Sequence, residues 1–159
     1  MKRSRSYEKS VALFADRAPG IVVFCKIPEP VQITSRKGRA VSGRLEPRRS
    51  VDFCGVLKGG RALYVEAKYT RGDKPSWSPD KRLLEGHQGQ ILAAVHGTGG
   101  VAIVTLFRGS TGREYVIPWT QPRGPISKDR KSIRWSDLVK YQLGTGETWI
   151  HRIPHEKGE

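Results

Sequence analysis

The sequence is poor in the residues that hold small secreted proteins or zinc modules together. Its 159 residues include two cysteines, Cys25 and Cys54, and four scattered histidines without zinc-binding spacing. No apolar run reaches the ~18 residues that span a bilayer. The basic first residues also precede no apolar stretch of the kind found in a signal peptide. We therefore expect a cytoplasmic protein in which both cysteines are reduced thiols within the core.

Acidic residues are few relative to basic ones. The chain has 15 Asp and Glu against 29 Lys and Arg, which gives a formal net charge of +14. An excess this large predicts a polyanionic partner, with nucleic acid as the first candidate and an acidic membrane surface as the second. The length is that of one domain with its own core, so residues 1–159 are predicted to form a single domain.

The apolar pattern predicts a mixed α/β fold. Helices are predicted at 6–18, 81–96 and 136–143, and strands at 21–26, 51–57, 61–69, 101–107 and 113–118, with a further extended run at 31–34. The segment 101–107 is the most apolar strand and is expected to be central. Trp77 is expected to be exposed in a loop. This order predicts a mixed central sheet with helices on its faces.

Residues 35–49 differ from the rest of the chain. They carry six positive charges and one negative charge and have few side chains that would fill a core. A linker here would leave an N-terminal unit of ~34 residues, which is too small to fold alone. We therefore predict a protruding basic stalk inserted within the domain and flexible without its partner. The alternative is a disordered linker.

The stretch from Asp52 to Lys68 carries the strongest chemical signal. Strand alternation places Glu66 and Lys68 on one face of their strand, opposite an apolar face. A three-residue turn at 58–60 would put Asp52 directly opposite Glu66, whereas a two-residue turn would put it on the other face. The catalytic interpretation requires the three-residue turn or a bulge, since either would bring the two carboxylates together, and we predict the three-residue turn.

Two carboxylates that lie this close repel each other unless a cation sits between them. Mg²⁺ binds one or two carboxylates and keeps several waters, so Asp52 and Glu66 are the candidate metal ligands. Lys68 would orient an attacking water or stabilise charge that develops on a phosphate. The alternative is an ordinary exposed salt bridge.

Two further polar residues lie on helix faces that are predicted to pack on the sheet. Glu8 shares a helical stripe with Val11 and Ala15. Gln88 lies among the apolar residues of the helix at 81–96, where a buried amide needs a partner. Both would complete the site. The alternatives are a favourable helix-dipole position for Glu8 and a bond from Gln88 to a backbone carbonyl.

Taken in order, these segments resemble the RecU-type Holliday junction resolvases of the PD-(D/E)xK nuclease superfamily. The resemblance covers roughly residues 6 to 120 and is poor over the last forty. It departs at Val51, where the family tends to have a threonine, so that a hydroxyl is absent there unless Ser50 supplies it. It rests on Glu8, the segment 26–33, the basic insertion, the segments 51–56 and 65–68, His87-Gln88, and Gly99-Gly100 before an apolar strand.

The resemblance implies a restriction-endonuclease-like core in a homodimeric endonuclease dependent on Mg²⁺ or Mn²⁺. Such an enzyme would cut two opposed strands of a four-way DNA junction in a bacterial or phage-infected cell, with no organic cofactor and no membrane partner. Asp52 and Glu66 would bind the metal, Lys68 would assist the attacking water, and Glu8 and Gln88 would complete the catalytic site. The stalk at 35–49 would enter the centre of the junction.

The candidate DNA contacts follow from charge and from the position of the stalk. Two alternatives remain open: a nuclease of the same superfamily that acts on duplex DNA, and a non-catalytic architectural protein that binds nucleic acid. The candidate contacts are Arg36, Lys37, Arg39, Arg44, Arg48, Arg49, Arg71, Lys74, Lys81 and Arg82.

Overall fold

The fold is organised around a central β-sheet with short helices on both faces. The computed structural model describes residues 2–15, 18, 20–28, 31–37, 40–45, 51–84, 86–120, 125–126 and 132–153. The elements are α1 (Lys2–Ala15), β1 (Ile21–Lys26), β2 (Val31–Lys37), β3 (Ala40–Leu45), β4 (Phe53–Leu57), β5 (Ala62–Thr70), β6 (Ser76–Trp77), α2 (Lys81–Leu84), α3 (His87–Gly97), β7 (Val101–Arg108), β8 (Arg113–Pro118), β9 (Ile133–Arg134) and α4 (Trp135–Leu138), with 3₁₀ turns at Val139–Tyr141 and Trp149–Arg152.

The central sheet has five strands in the order β1-β4-β5-β7-β8. β5 pairs antiparallel with β4 and parallel with β7, and the parallel pair is joined through α2 and α3. Alternate residues of β5 and β7 enter two separate apolar clusters, one on each face. The predicted mixed sheet with flanking helices is confirmed. None of the described helices is both long and apolar enough to cross a bilayer.

The hairpin between β4 and β5 has the predicted three-residue loop. Phe53 pairs with Val65, and the N–H of Leu57 donates to the carbonyl of Arg61 at 2.9 Å, which leaves Lys58–Gly60 as the loop. Gly59 and Gly60 both have positive φ, a backbone conformation that residues other than glycine rarely adopt. This loop fixes the register that the predicted site requires.

The predicted helix at 81–96 is wrong as a single element. α2 ends at Leu84 and α3 begins at His87, and Gly86, the N-cap of α3, has an extended backbone. Gly89 explains the close fit of the two helices, because a Cβ there would lie 2.2 Å from the Leu83 carbonyl oxygen. α1 also differs from its prediction: it begins before residue 6 and ends at Ala15.

Trp77 is not exposed as predicted. Its side chain is 7% exposed and belongs to the apolar cluster on the α3 face of the sheet. The residue lies in β6, which pairs antiparallel with β9, so Trp77 stands opposite Ile133. This partner is more than fifty residues away along the chain, which is why local polarity suggested a loop.

The segment predicted as a flexible stalk is largely a two-stranded ribbon. β2 and β3 pair antiparallel from Val31 with Leu45 to Lys37 with Ala40, in a sheet of their own. Residues 35–37 and 40–45 are therefore strand, whereas only 31–34 was predicted to be extended. The β-branched residues of this segment, among them Val31, Ile33 and Val41, favour strand pairing. Positions 38–39 and 46–49 of the predicted stalk lie outside the described residues. We call β2 and β3 the basic ribbon.

The two cysteines are neighbours across the pair of strands that flanks the basic ribbon. Cys25 of β1 stands opposite Cys54 of β4, and the two Sγ atoms lie 3.4 Å apart. Both thiols are free, but Cys25 is exposed and Cys54 is only half-buried. The predicted core position of both is therefore wrong. Each lies on the solvent-facing side of the β1–β4 pair, beside the exposed Val23 and Val56.

We expect oxidised glutathione to convert the Cys25 and Cys54 thiols into a disulfide. Opposed residues of antiparallel strands have Cα atoms about 4.5–5.5 Å apart, within the range of disulfides. The Cys25 thiolate attacks the reagent and releases one glutathione, and the Cys54 thiolate then displaces the second. The measurement is intact mass, with loss of two hydrogens expected, and a melting temperature raised by about 5–10 °C. A Cys54→Ser control should retain one glutathione. Two thiols that still alkylate after treatment would contradict the prediction.

Candidate active site

Asp52 and Glu66 are opposed at the edge of the β4–β5 hairpin. Because Phe53 pairs with Val65, the register places the preceding Asp52 opposite the following Glu66. The Oδ2 atom of Asp52 accepts a hydrogen bond of 2.8 Å from the backbone N–H of Ala67. This bond holds the Asp52 carboxylate against β5, beside Glu66.

Both carboxylates are in an environment that disfavours their charge. Glu66 is 2% exposed, and burial is the main reason that its pKa is raised to about 8, with a further rise from the charge of Asp52. Burial also raises the pKa of Asp52 to about 6, against the opposing effect of the Ala67 N–H. These pKa values already include the charge of Lys68, so at neutral pH the pair retains a proton until a further positive charge is brought to it.

Lys68 supplies one positive charge at this site. Its Nζ lies 2.8 Å from Oε1 of Glu66, 3.1 Å from Oδ2 of Asp80 and 3.1 Å from Oε1 of Gln88. Burial acts to lower the pKa of Lys68, but the two carboxylates outweigh burial and the pKa is raised above its ordinary value. Lys68 is therefore an ammonium ion with three acceptors.

Gln88 and Asp80 reach Lys68 from the corner between α2 and α3. Gln88 is buried in the first turn of α3, and its amide oxygen makes the bond that the sequence required of a buried amide. Asp80 precedes α2, and its Oδ1 accepts the N–H of Leu83 at 2.9 Å. Sequence reasoning missed Asp80. The available signal was an aspartate directly before a helix, a preferred N-cap residue.

Glu8 stands at the margin of the same site. Its half-buried carboxylate lies on α1, with Oε2 2.6 Å from Nζ of Lys26. Its charge contributes to the raised pKa of Asp52. Lys26 is a second residue that sequence reasoning did not assign. The structure thus brings Asp52, Glu66, Lys68 and Gln88 together and places Glu8 beside them.

The carboxylate pair fits a divalent cation. Oε2 of Glu66 is buried and has no hydrogen-bond partner in the described part of the chain. An orphaned carboxylate oxygen next to a second carboxylate is a donor set that Mg²⁺ prefers, and a cation there would offset their repulsion. Among the described residues there is no cluster of three or more His, Cys, Asp or Glu side chains that could hold a metal ion. Mg²⁺ commonly binds without one, using one or two carboxylates, waters and substrate phosphates.

The predicted DNA contacts are located only in part. Arg71 and Lys74 are exposed and line a groove of about 410 Å³ that begins at Lys68 and Asp80. Val51, at the position where a threonine was expected from the resemblance, is buried, and Ser50 lies outside the described residues. The backbone of Arg36, Lys37 and Arg44 lies in the basic ribbon and that of Lys81 and Arg82 in α2, while Arg39, Arg48 and Arg49 lie outside the described residues.

Comparison with known proteins gives one family. The family model of Recombination protein U, RecU, matches residues 8–153. The match extends beyond residue 120, so the expectation that the last forty residues lie outside the resemblance is corrected as far as residue 153. Among solved structures, the Holliday junction resolvase Hjc of Archaeoglobus fulgidus has a TM-score of 0.46 and 15% identity, over 89% of this chain and 95% of that chain. No curated protein sequence gives a significant match.

Proposed function

The chain belongs to the RecU family of Holliday junction resolvases, and we propose that it hydrolyses paired phosphodiester bonds of a four-way DNA junction with a divalent cation. The observation that carries the proposal is the opposed pair of Asp52 and Glu66, with one buried carboxylate oxygen lacking a partner. An architectural protein would have no use for a buried, mutually repelling pair of carboxylates beside an ammonium ion. The net charge of +14 fits a polyanionic substrate.

We assign the roles of the site residues from their contacts. Asp52 and Glu66 would hold Mg²⁺ or Mn²⁺, which when bound offsets charge on the phosphate and lowers the pKa of water. Lys68 remains protonated, so it faces the negative charge that develops on the phosphate and does not act as a proton acceptor. Gln88 holds Lys68 through its amide oxygen, and Glu8 with Lys26 borders the site.

Recognition of the junction would rest on phosphates and shape. Two opposed incisions require two active sites related by a two-fold axis, which a homodimer supplies. We assign the junction centre to the basic ribbon and its flanks, which contain Arg36, Lys37, Arg39, Arg44, Arg48 and Arg49. Arg71, Lys74, Lys81 and Arg82 lie on segments near Lys68 and would contact DNA closer to the scissile bond.

The proposal is tested with labelled four-way junction, linear duplex and single strand, each with and without Mg²⁺ or Mn²⁺. We expect symmetric nicking of the junction alone, dependent on the cation and lost in Asp52→Asn. The exposed Asp137→Asn change on α4 is the matched control and should cut normally. Equal cutting of linear duplex would support a duplex nuclease instead. If the protein binds the junction but cleaves it under none of these conditions, the architectural alternative is supported.

A further inference from the structure

The acceptors around Lys68 come from two separate parts of the fold. Glu66 is on the same strand, two residues before Lys68, whereas Asp80 and Gln88 approach from the α2–α3 corner. The corresponding distances to Nζ are 2.8 Å for Glu66 and 3.1 Å for each of the other two. Lys68 is thus held from its own strand and, independently, from a neighbouring element.

The Asp80 carboxylate is fixed although the side chain is 52% exposed. Its Oδ1 accepts the N–H of Leu83 at 2.9 Å, and its backbone carbonyl accepts the N–H groups of Leu83 and Leu84 at 3.1 Å. These bonds leave Oδ2 directed at Lys68. The two oxygens of one carboxylate therefore have different partners: one caps α2, and the other holds the ammonium ion.

The α2–α3 corner that carries Asp80 and Gln88 is closely packed. Leu83 is fully buried, and its carbonyl oxygen lies where a side chain at position 89 would begin, so only glycine fits there. This close packing of α2 against α3 sets the spacing between Asp80 and Gln88. The corner thus presents the Asp80 and Gln88 oxygens together to the Lys68 ammonium ion.

Glu66 has two competing partners in the proposed reaction. A cation on the Glu66 carboxylate would weaken the attraction between Glu66 and Lys68 and would itself repel the ammonium ion. We propose that Asp80 is a positioning residue that, together with Gln88, keeps Lys68 in place when Glu66 is engaged by a cation. This inference rests on the proposed function through the roles of Glu66 and Lys68.

Two substitutions separate positioning from helix capping. Asp80→Asn keeps the size and the cap to Leu83, since asparagine is a good N-cap, but its single oxygen cannot serve Lys68 as well. Asp80→Glu keeps a carboxylate that reaches Lys68 but is a poorer cap. We expect Asp80→Asn to lower kcat for junction cleavage about ten- to hundredfold with KM and melting temperature unchanged. We expect Asp80→Glu to retain most of kcat at a lower melting temperature.

The opposite pattern would overturn the proposal. If Asp80 serves only as a cap, Asp80→Asn will cut at the wild-type rate and Asp80→Glu will be impaired in proportion to its lost stability. A kcat lowered equally in both variants would also overturn it, since the contact to Lys68 survives in one of them.

A spectroscopic measurement separates this inference from the proposed function. The ¹H–¹⁵N signal of the Lys68 ammonium group is recorded on the full chain with Mg²⁺ alone and no DNA. We expect a hydrogen-bonded signal in the wild type and in Asp80→Glu, and its loss by fast exchange in Asp80→Asn. If the wild type shows this dependence but cuts no junction, the proposed function fails and the positioning role stands. A signal indifferent to Asp80 overturns the positioning role even in an active enzyme.

Discussion

Replacing Glu66 by glutamine is expected to lower junction cleavage by about 10³-fold or more while stabilising the metal-free protein at pH 8. The loss of activity follows because a bound cation supplies several kcal/mol of transition-state stabilisation, and each 1.36 kcal/mol is tenfold in rate. The gain in stability follows because glutamine has nearly the same shape but no charge to bury. The raised pKa of Glu66 shows that the native carboxylate lies in an environment that disfavours its ionised form.

The pH dependence gives the sign of the stability change. The pKa of Glu66 is about 8 in the folded protein against an ordinary value of 4.5. Between these values the folded protein binds more protons than the unfolded chain, so the free energy of unfolding falls as pH rises from about 4.5 to 8. Asp52, with a pKa raised to about 6, adds to the fall in the lower part of this range. Glu66→Gln removes the contribution of the Glu66 carboxyl to this fall in the free energy of unfolding.

The measurement is urea denaturation in the presence of a chelator at pH 5 and pH 8, for wild type and Glu66→Gln. We expect a smaller fall with pH in the variant, and a restored midpoint when Mg²⁺ is added to the wild type at pH 8. Asp137→Asn, an exposed carboxylate change, is the control and should follow the wild type. An active Glu66→Gln enzyme, or a variant whose stability falls with pH as steeply as the wild type, would contradict the assignment.

Replacing Trp149 by alanine is expected to lower the free energy of unfolding by about 3–5 kcal/mol. Trp149 is fully buried, its indole N–H donates to the carbonyl of Val11 at 3.2 Å, and its ring centroid lies 5.4 Å from that of Phe24. It therefore joins the C-terminal segment to α1 and β1.

The control for this change is Trp149→Phe, which keeps an aromatic ring but loses the hydrogen bond to Val11. We expect a smaller loss of stability than for alanine, with cleavage close to normal in both variants under conditions where they are folded. Urea denaturation gives the free energies. A loss within about 0.5 kcal/mol for Trp149→Ala, the range of an ordinary surface substitution, would show that the C-terminal segment does not contribute to the core.

The part of the site that sequence could predict is the part built by local rules. Alternation along β5 placed Glu66 and Lys68 on one face, and the three-residue turn placed Asp52 opposite Glu66; both predictions depend on fewer than twenty consecutive residues. The strands at 21–26 and 113–118 also have their predicted bounds, because their β-branched and apolar residues are bounded by breaks in the pattern. These features are determined by neighbours in the chain.

The rest depended on partners that are distant in sequence. Trp149 contacts Val11 across 138 positions, and Trp77 lies in a strand that pairs with one beginning at Ile133. Neither contact can be inferred from the sequence close to the residue involved. Asp80 was missed for a different reason. An aspartate directly before a helix is explained by capping alone, through Oδ1 and the N–H of Leu83. The contact of Oδ2 with Lys68 depends on the position of β5, which the local sequence does not show.

The basic ribbon joins two strands that are already neighbours. β1 and β4 pair directly, Lys26 stands opposite Phe53, and the N–H of Ile27 donates to the carbonyl of Asp52 at 2.9 Å. In topological terms the whole ribbon is an enlarged hairpin loop, and loop closure becomes only slowly more costly with length. The ribbon is thus an exchangeable module. Under the proposed function, a change in its length or charge is expected to alter the choice of DNA substrate while leaving the register that sets Asp52 against Glu66 unchanged.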